Sequence, residues 1–240
     1  MFHQEYFPDG MRVEWAEGLD AKEKELLGYA IYTLRKNSKT FNNEFIELHS
    51  SKMTFTVGKA SGSWGLFDRP LPKMVGGDED EEGNISEVNM VYDMSEGAKG
   101  GKISLDLDTF KQMKREGVNI NALDEALNVL PEEFSGAALF LYYGTIANGK
   151  IDEMPASANI EYETKMLAGV VLNESGIGLS KSKSQRSAEE FGIQFNVNKK
   201  TLEDYFNALE SWHTAPDLAK HYKGLSRNKK KPLYSINNQK

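Results

Sequence analysis

Residues 137–167 read "AALFLYYGTIANGKIDEMPASANIEYETKML". The first part is apolar and helix-like. It stops at Asn148-Gly149, a pair suited to the left-handed turn that ends helices. A second helix is predicted to open between Pro155 and Asn159 and to run to Gly176. Its residues Ile160, Thr164, Leu167 and Val171 share one face, and it carries two carboxylates, Glu161 and Glu163. An apolar helix, a break and an acid-bearing helix make the C-terminal half helical. The rest of the chain is read around that unit.

Upstream, "DAKEKELLGYAIYTLRKN" predicts a helix with Asp20 as N-cap and Glu23 in capping-box spacing. A shorter helix is expected at about 42–49. Met53, Phe55 and Val57 alternate with polar residues, the period of a half-buried strand. Strands are expected at 52–58, 85–93 and 102–107, with an irregular region over 58–101. In the last strand Ile103, Leu105 and Leu107 share one face. Asp106 and Asp108 then share the other, as a solvent-facing edge or a metal-binding pair. "NALDEALNVLP" predicts a short helix stopped by Pro131. In "NKKTLEDYFNALESW", residues 198–212, the apolar Leu202, Tyr205, Phe206, Leu209 and Trp212 recur at helical spacing. The fold class is α+β, a small antiparallel sheet with a mainly helical C-terminal half. One domain is expected over 1–222, with an irregular arm at 1–18 and a basic tail at 223–240.

The 240 residues include no cysteine, which excludes disulfides, thiol catalysis and cysteine-ligated zinc. No apolar run approaches the roughly 20 residues of a membrane span. The start, "MFHQEYFPDGMRVEW", lacks the basic and apolar regions of a signal peptide. The expected location is the cytoplasm of the producing cell, with a specialised secretion system as the route for any export. The net charge is −7, yet residues 181–240 hold 12 Lys+Arg against 6 Asp+Glu. Lys223, Arg227, Lys229, Lys230 and Lys231 form a candidate site for anions or an acidic partner, with a solvated terminus as the plain alternative. Tyr222 and Tyr234 lie among these cations. Nucleic acid is therefore expected only through this tail.

The layout resembles zinc-metallopeptidase-like (HExxH-type) toxin and effector domains of bacterial polymorphic toxin systems. Their HExxHA helix is followed by a helix with a liganding Glu. The resemblance covers about residues 24–175 and rests on the order of parts, on Ala147 and on "NIEYETKM". Aligned this way, Tyr142, Tyr143 and Ile146 stand where the family has its first His, its general-base Glu and its second His. Isoleucine has no lone pair, and a phenol of pKa about 10 poorly replaces imidazole. Only Glu161 or Glu163 is left as a ligand, and one carboxylate does not hold zinc. The resemblance thus implies a relative without the zinc motif, in which Tyr142, Tyr143, Ile146, Glu161 and Glu163 line a vacated pocket with no metal and no cofactor. The other reading is a core helix of an unrelated fold.

Remaining motifs are weaker. His3, His49, His213 and His221 never stand four apart on one helix. The acidic run Asp78–Glu82 lacks calcium-loop spacing, and "GIGLSKSKS" lacks the phosphate-loop pattern. Two functions follow as expectations. One is a bacterial effector-like domain acting by binding, or by chemistry that these motifs do not identify. The other is a non-enzymatic interaction protein, an adaptor, immunity or mobile-element protein engaging a protein partner.

Overall fold

A computed structural model describes residues 7–77, 83, 84, 86–112, 114, 115, 118, 119, 121–155 and 157–176. Helix α1 (Ala21–Asn37) begins where the capping box places it. The Glu23 N–H donates to Asp20 Oδ1 at 2.8 Å, and the Asp20 N–H donates back to Glu23 Oε2 at 3.1 Å. Ser38 ends α1 and caps α2 (Lys39–Ser50) through its hydroxyl. This helix starts earlier than expected because Ser38 supplies a cap.

The largest difference from expectation lies at Pro131. One helix, α4 (Ala122–Ile146), runs 25 residues straight through it. Proline removes an N–H and crowds the carbonyl four residues back, which costs roughly 3 kcal/mol in a helix interior. Against this, Leu127, Val129 and Leu130 before it and Phe134, Leu139 and Phe140 after it are all buried. Each contributes about 1.5–3 kcal/mol on burial, so keeping both segments in line outweighs the local penalty. Helix α5 (Ser157–Ser175) packs along α4.

Strands β1 (Thr54–Lys59), β2 (Gly65–Asp68) and β5 (Lys99–Leu105) form a sheet in the order β1-β5-β2. The β1–β5 pair is parallel and the β2–β5 pair antiparallel, so the sheet is mixed rather than antiparallel. The reason is topological. The long connection from β1 to β5 lets the chain cross over and return in the same direction. Buried Ile103 and Leu105 of β5 face the helices in one core with Leu127, Leu130 and Phe134. Strand β2 comes so close to α4 at Gly65 that an added Cβ would lie 2.3 Å from Val129 Cγ1. Only glycine fits that approach. The arm covers the free edge of β1, where the Val57 N–H donates to the Glu14 carbonyl at 2.9 Å.

Strand β4 (Asn89–Val91) falls within the strand expected at 85–93 and forms a hairpin with β3 (Lys73–Val75), which like β2 is regular where an irregular chain was expected. The chain leaves β5 at Leu105 and enters a short helix, α3 (Leu107–Gln112), so Asp106 and Asp108 do not share a strand face. Asp106 instead accepts from the Thr109 N–H and hydroxyl, at 3.0 and 2.9 Å, and from the Gly62 N–H at 3.1 Å. Asp108 pairs with Lys59 at 2.7 Å. A two-stranded ribbon of β6 (Lys114–Arg115) and β7 (Val118–Asn119) precedes α4. The architecture is α+β, and no helix among the described residues is long and apolar enough to cross a membrane. The expected helix at 198–212 and the tail lie outside the described residues.

Glu23 joins α1 to the sheet. It is 4% exposed, and its Oε1 accepts from Lys59 Nζ at 3.0 Å and Lys111 Nζ at 2.9 Å. Burial works against the charged form, but the two lysines and the Asp20 N–H hold its carboxyl down at about 2. A carboxyl lowered on folding contributes stability above its ordinary value near 4.5, and that contribution is lost as pH falls through 2. Glu23→Gln is expected to destabilise the fold by about 1.5–3 kcal/mol at neutral pH. Denaturant titrations at successive pH values should show the difference from wild type closing between pH 4.5 and 2.

Candidate functional site

Position 143 meets position 163. Tyr143 is buried on α4, Glu163 is fully buried on α5, and the Tyr143 hydroxyl donates to Glu163 Oε2 at 2.7 Å. Tyr142 is half-buried with its ring 5.2 Å from that of Tyr143. Partial burial and the negative charge of Glu163 raise its phenol above the ordinary value. Ile146 departs from expectation, being 61% exposed. In a helix residues 142 and 146 share a face, and 143 lies about 100° around from them. Helix α5 takes the 143 face, and Ile146 looks onto an open groove. The expected pocket is thus divided between two faces of α4. Glu161 lies on α5 with its side chain outside the described set. Lys223, Arg227, Lys229, Lys230 and Lys231 also lie outside the described residues.

A second buried carboxylate was not singled out from the sequence. Glu44 of α2 is fully buried and accepts from the Ser135 hydroxyl at 2.9 Å, while its Oε2 has no hydrogen-bond partner among the described residues. Burial first, then the negative charges of Glu174 and Glu47, outweigh the Ser135 bond and push its carboxyl up to about 8. The signal was present, since Glu44 falls on the same helical stripe as the buried Phe41, Phe45 and Leu48. Glu174 fixes the end of α5 to the start of α2. It accepts from the Ser38 hydroxyl at 2.6 Å, the Thr40 N–H at 2.9 Å and the Thr40 hydroxyl at 3.0 Å. A carboxylate there also answers the positive end of the α2 dipole.

The groove has a volume of about 1210 Å³. Its walls are Ile46 and Glu47 of α2, Tyr142 and Ile146 of α4, and Val75 and Val91 of the hairpin. The turn after α4 holds the hairpin in place. Asn148 and Gly149 take positive φ, 49° and 80°, and the Tyr92 N–H donates to the Gly149 carbonyl at 2.8 Å. An added Cβ on Gly149 would lie 2.1 Å from the Tyr92 carbonyl oxygen, so glycine is required twice over. Lys73 and Asp93 pair at 2.8 Å within the groove lining.

Side chains alternate along the ribbon. Lys73, Val75 and Val91 line the groove, and Met74 and Met90 are paired on the opposite face. That outer face is apolar and open. Met74 is 73% exposed and Met90 44%, and Val88, two residues before Met90, is exposed as well. The strand expected over 85–93 contains Val88 and Met90, but its apolar face is not legible in the sequence and Met74 carries no strand signal, because strands of three residues are too short to show a period.

Among the described residues no three His, Cys, Asp or Glu side chains converge as a metal site would require. No family model matches the chain, and no curated protein or solved structure is found to match it.

Glu44 carries a signed pH dependence. A carboxyl raised on folding contributes stability that is present below 4.5 and lost as pH rises through about 8. Glu44→Gln is expected to match wild type near pH 4.5 and to exceed it by a widening margin towards pH 8, read from urea midpoints at both ends.

Proposed function

We propose that this protein works by binding a protein partner, with the outer face of the β3–β4 hairpin as the contact surface. The observation that carries this reading is the exposure of Met74 and Met90, paired on one face of the ribbon, with Val88 exposed two residues before Met90. Single exposed apolar side chains are ordinary, but a cluster on one ribbon marks an interaction surface. A lone two-stranded ribbon is marginal in water, and this one is anchored at its base by the turn after α4. Anchoring holds the methionines out in solvent without a core of their own. Methionine adapts its shape to a partner at little cost.

The connection between the two strands contains the acidic run Asp78–Glu82. The partner that fits is a protein with an apolar patch bordered by basic residues. This supports the interaction-protein reading. In the effector reading the same surface would meet a target in a recipient cell, and the contact of Tyr143 with Glu163 is what favours that relationship of layout.

The test is the double variant Met74→Glu with Met90→Glu. Both side chains are exposed, so the melting temperature should stay within a few degrees of wild type. Affinity capture from the native host should recover a defined partner with wild type and lose it with the variant. Undiminished capture by the variant would contradict the assignment. Toxicity on bacterial expression, abolished in the variant, would point to the effector setting.

A further inference from the structure

We infer that the cleft between α2, β1 and the N-terminal arm binds a small organic monocarboxylate with an apolar body. No residue of the β3–β4 hairpin lines this cleft, so the site is separate from the partner surface. Its volume is about 350 Å³, within the span of small-molecule sites. Liquid water occupies roughly 30 Å³ per molecule, so about a dozen groups of that size fit. The inner wall is apolar, from Val13 of the arm, Phe45 of α2, Met53, Val57 of β1, Ile103 of β5 and Phe134 of α4. All six are buried. Protein interiors leave few gaps larger than a water, so a space of this size reaching core side chains sets the cleft apart from ordinary packing.

The walls are fixed by contacts that need no ligand. The arm is tied to β1, with the Val57 N–H donating to the Glu14 carbonyl at 2.9 Å and the Ala16 N–H to the Val57 carbonyl at 2.8 Å. Helix α2 is held through Phe45, whose ring stacks on Phe134 at 6.2 Å and meets Phe7 edge-on at 5.4 Å. The Arg35 guanidinium lies over both Phe7 and Phe45. The Ser51 hydroxyl is 2.9 Å from the Leu48 carbonyl and 3.0 Å from that of Met53, which sets the turn carrying Lys52. A cleft formed in advance lowers the ordering cost of binding.

The rim supplies the charge. Arg12, His49 and Lys52 stand exposed around the opening, from the arm, the end of α2 and the turn after it. Glu14 also lines the cleft and pairs with Arg12 at 3.0 Å. Lys52 has no ion pair among the described residues, so one cation is left over. A single surplus cation above an apolar floor matches a single negative charge on an apolar body. A carboxylate would accept from the Lys52 ammonium and from guanidinium N–H groups of Arg12 that Glu14 leaves open. His49, its ring stacked on Phe45, adds a ring nitrogen at the same rim.

The test titrates octanoate into the full chain and follows side-chain methyl signals by NMR, with octanol as the uncharged probe of equal length. Octanoate should shift the methyls of Val13, Val57 and Ile103 saturably, with a Kd at least tenfold below that of octanol. Arg12→Glu with Lys52→Glu inverts the rim, and both side chains are exposed. This double variant should weaken octanoate tenfold or more and leave octanol within about twofold. Lys22→Glu with Lys36→Glu makes the same charge change on exposed positions of α1 outside the cleft, and should bind octanoate as wild type does. The comparison of the two probes in wild type stands without any variant. Absence of saturable shifts, shifts confined to methyls outside the cleft, or equal affinity for the two probes would overturn the inference. Equal loss in both double variants would overturn it too, by reducing the effect to net charge.

Discussion

The structure depends on the burial of α4 on most of its faces. A 25-residue helix is about 37 Å long, and this one touches α1, α2, α3, α5 and two strands of the sheet. Each neighbour is placed by side chains that only a continuous α4 keeps in line. Val129 meets β2 at Gly65, Phe134 meets Phe41 of α2 with ring centroids 4.8 Å apart, and Tyr143 meets Glu163 of α5. Phe140 lies edge-on to Tyr92, 4.9 Å between centroids, just beyond β4. A break at Pro131 would disconnect the Val129 contact with β2 from the three that follow it. The groove and the hairpin stand at the far end of this rod, and their placement follows from it.

Carboxylates buried or partly buried between elements give the packing its specificity. Glu23, Glu44, Glu163 and Glu174 each tie together two or more elements. A misplaced helix would strand a carboxylate without its donors, which costs several kcal/mol for a buried charge. Glu23 and Glu44 solve the problem in opposite ways. Two lysines keep Glu23 charged, whereas Glu44 has one hydroxyl donor and is held towards its neutral form. The protein therefore contains groups whose stability contributions run in opposite directions with pH.

Local chemistry was the legible part of the sequence. The Asp20–Glu23 capping box and the Asn148-Gly149 stop each involve residues within a few positions, so spacing alone reveals them. Pro131 misled because the rule for proline is local while the burial that overrides it is tertiary. The parallel pairing of β1 with β5 was hidden for a similar reason, since it depends on where a connection of some 40 residues returns. In the candidate site, the meeting of α4 with the Glu163 helix was legible and the direction of Ile146 was not. Position 146 has the composition of a core residue, and only the placement of α5 decides which face of α4 is covered. The strand at 85–93 was legible, but the apolar outer face it shares with Met74 was not, for want of length.

Continuity of α4 is the premise for the placement of the groove and of the hairpin it supports. Native-state hydrogen exchange along the full chain tests it directly. The account predicts that amides on both sides of Pro131, over Glu125–Leu130 and Phe134–Tyr143, open together as one unit and rank among the slowest in the molecule. Independent opening of the two halves, with the segment before Pro131 exchanging well ahead of the segment after it, would contradict the account.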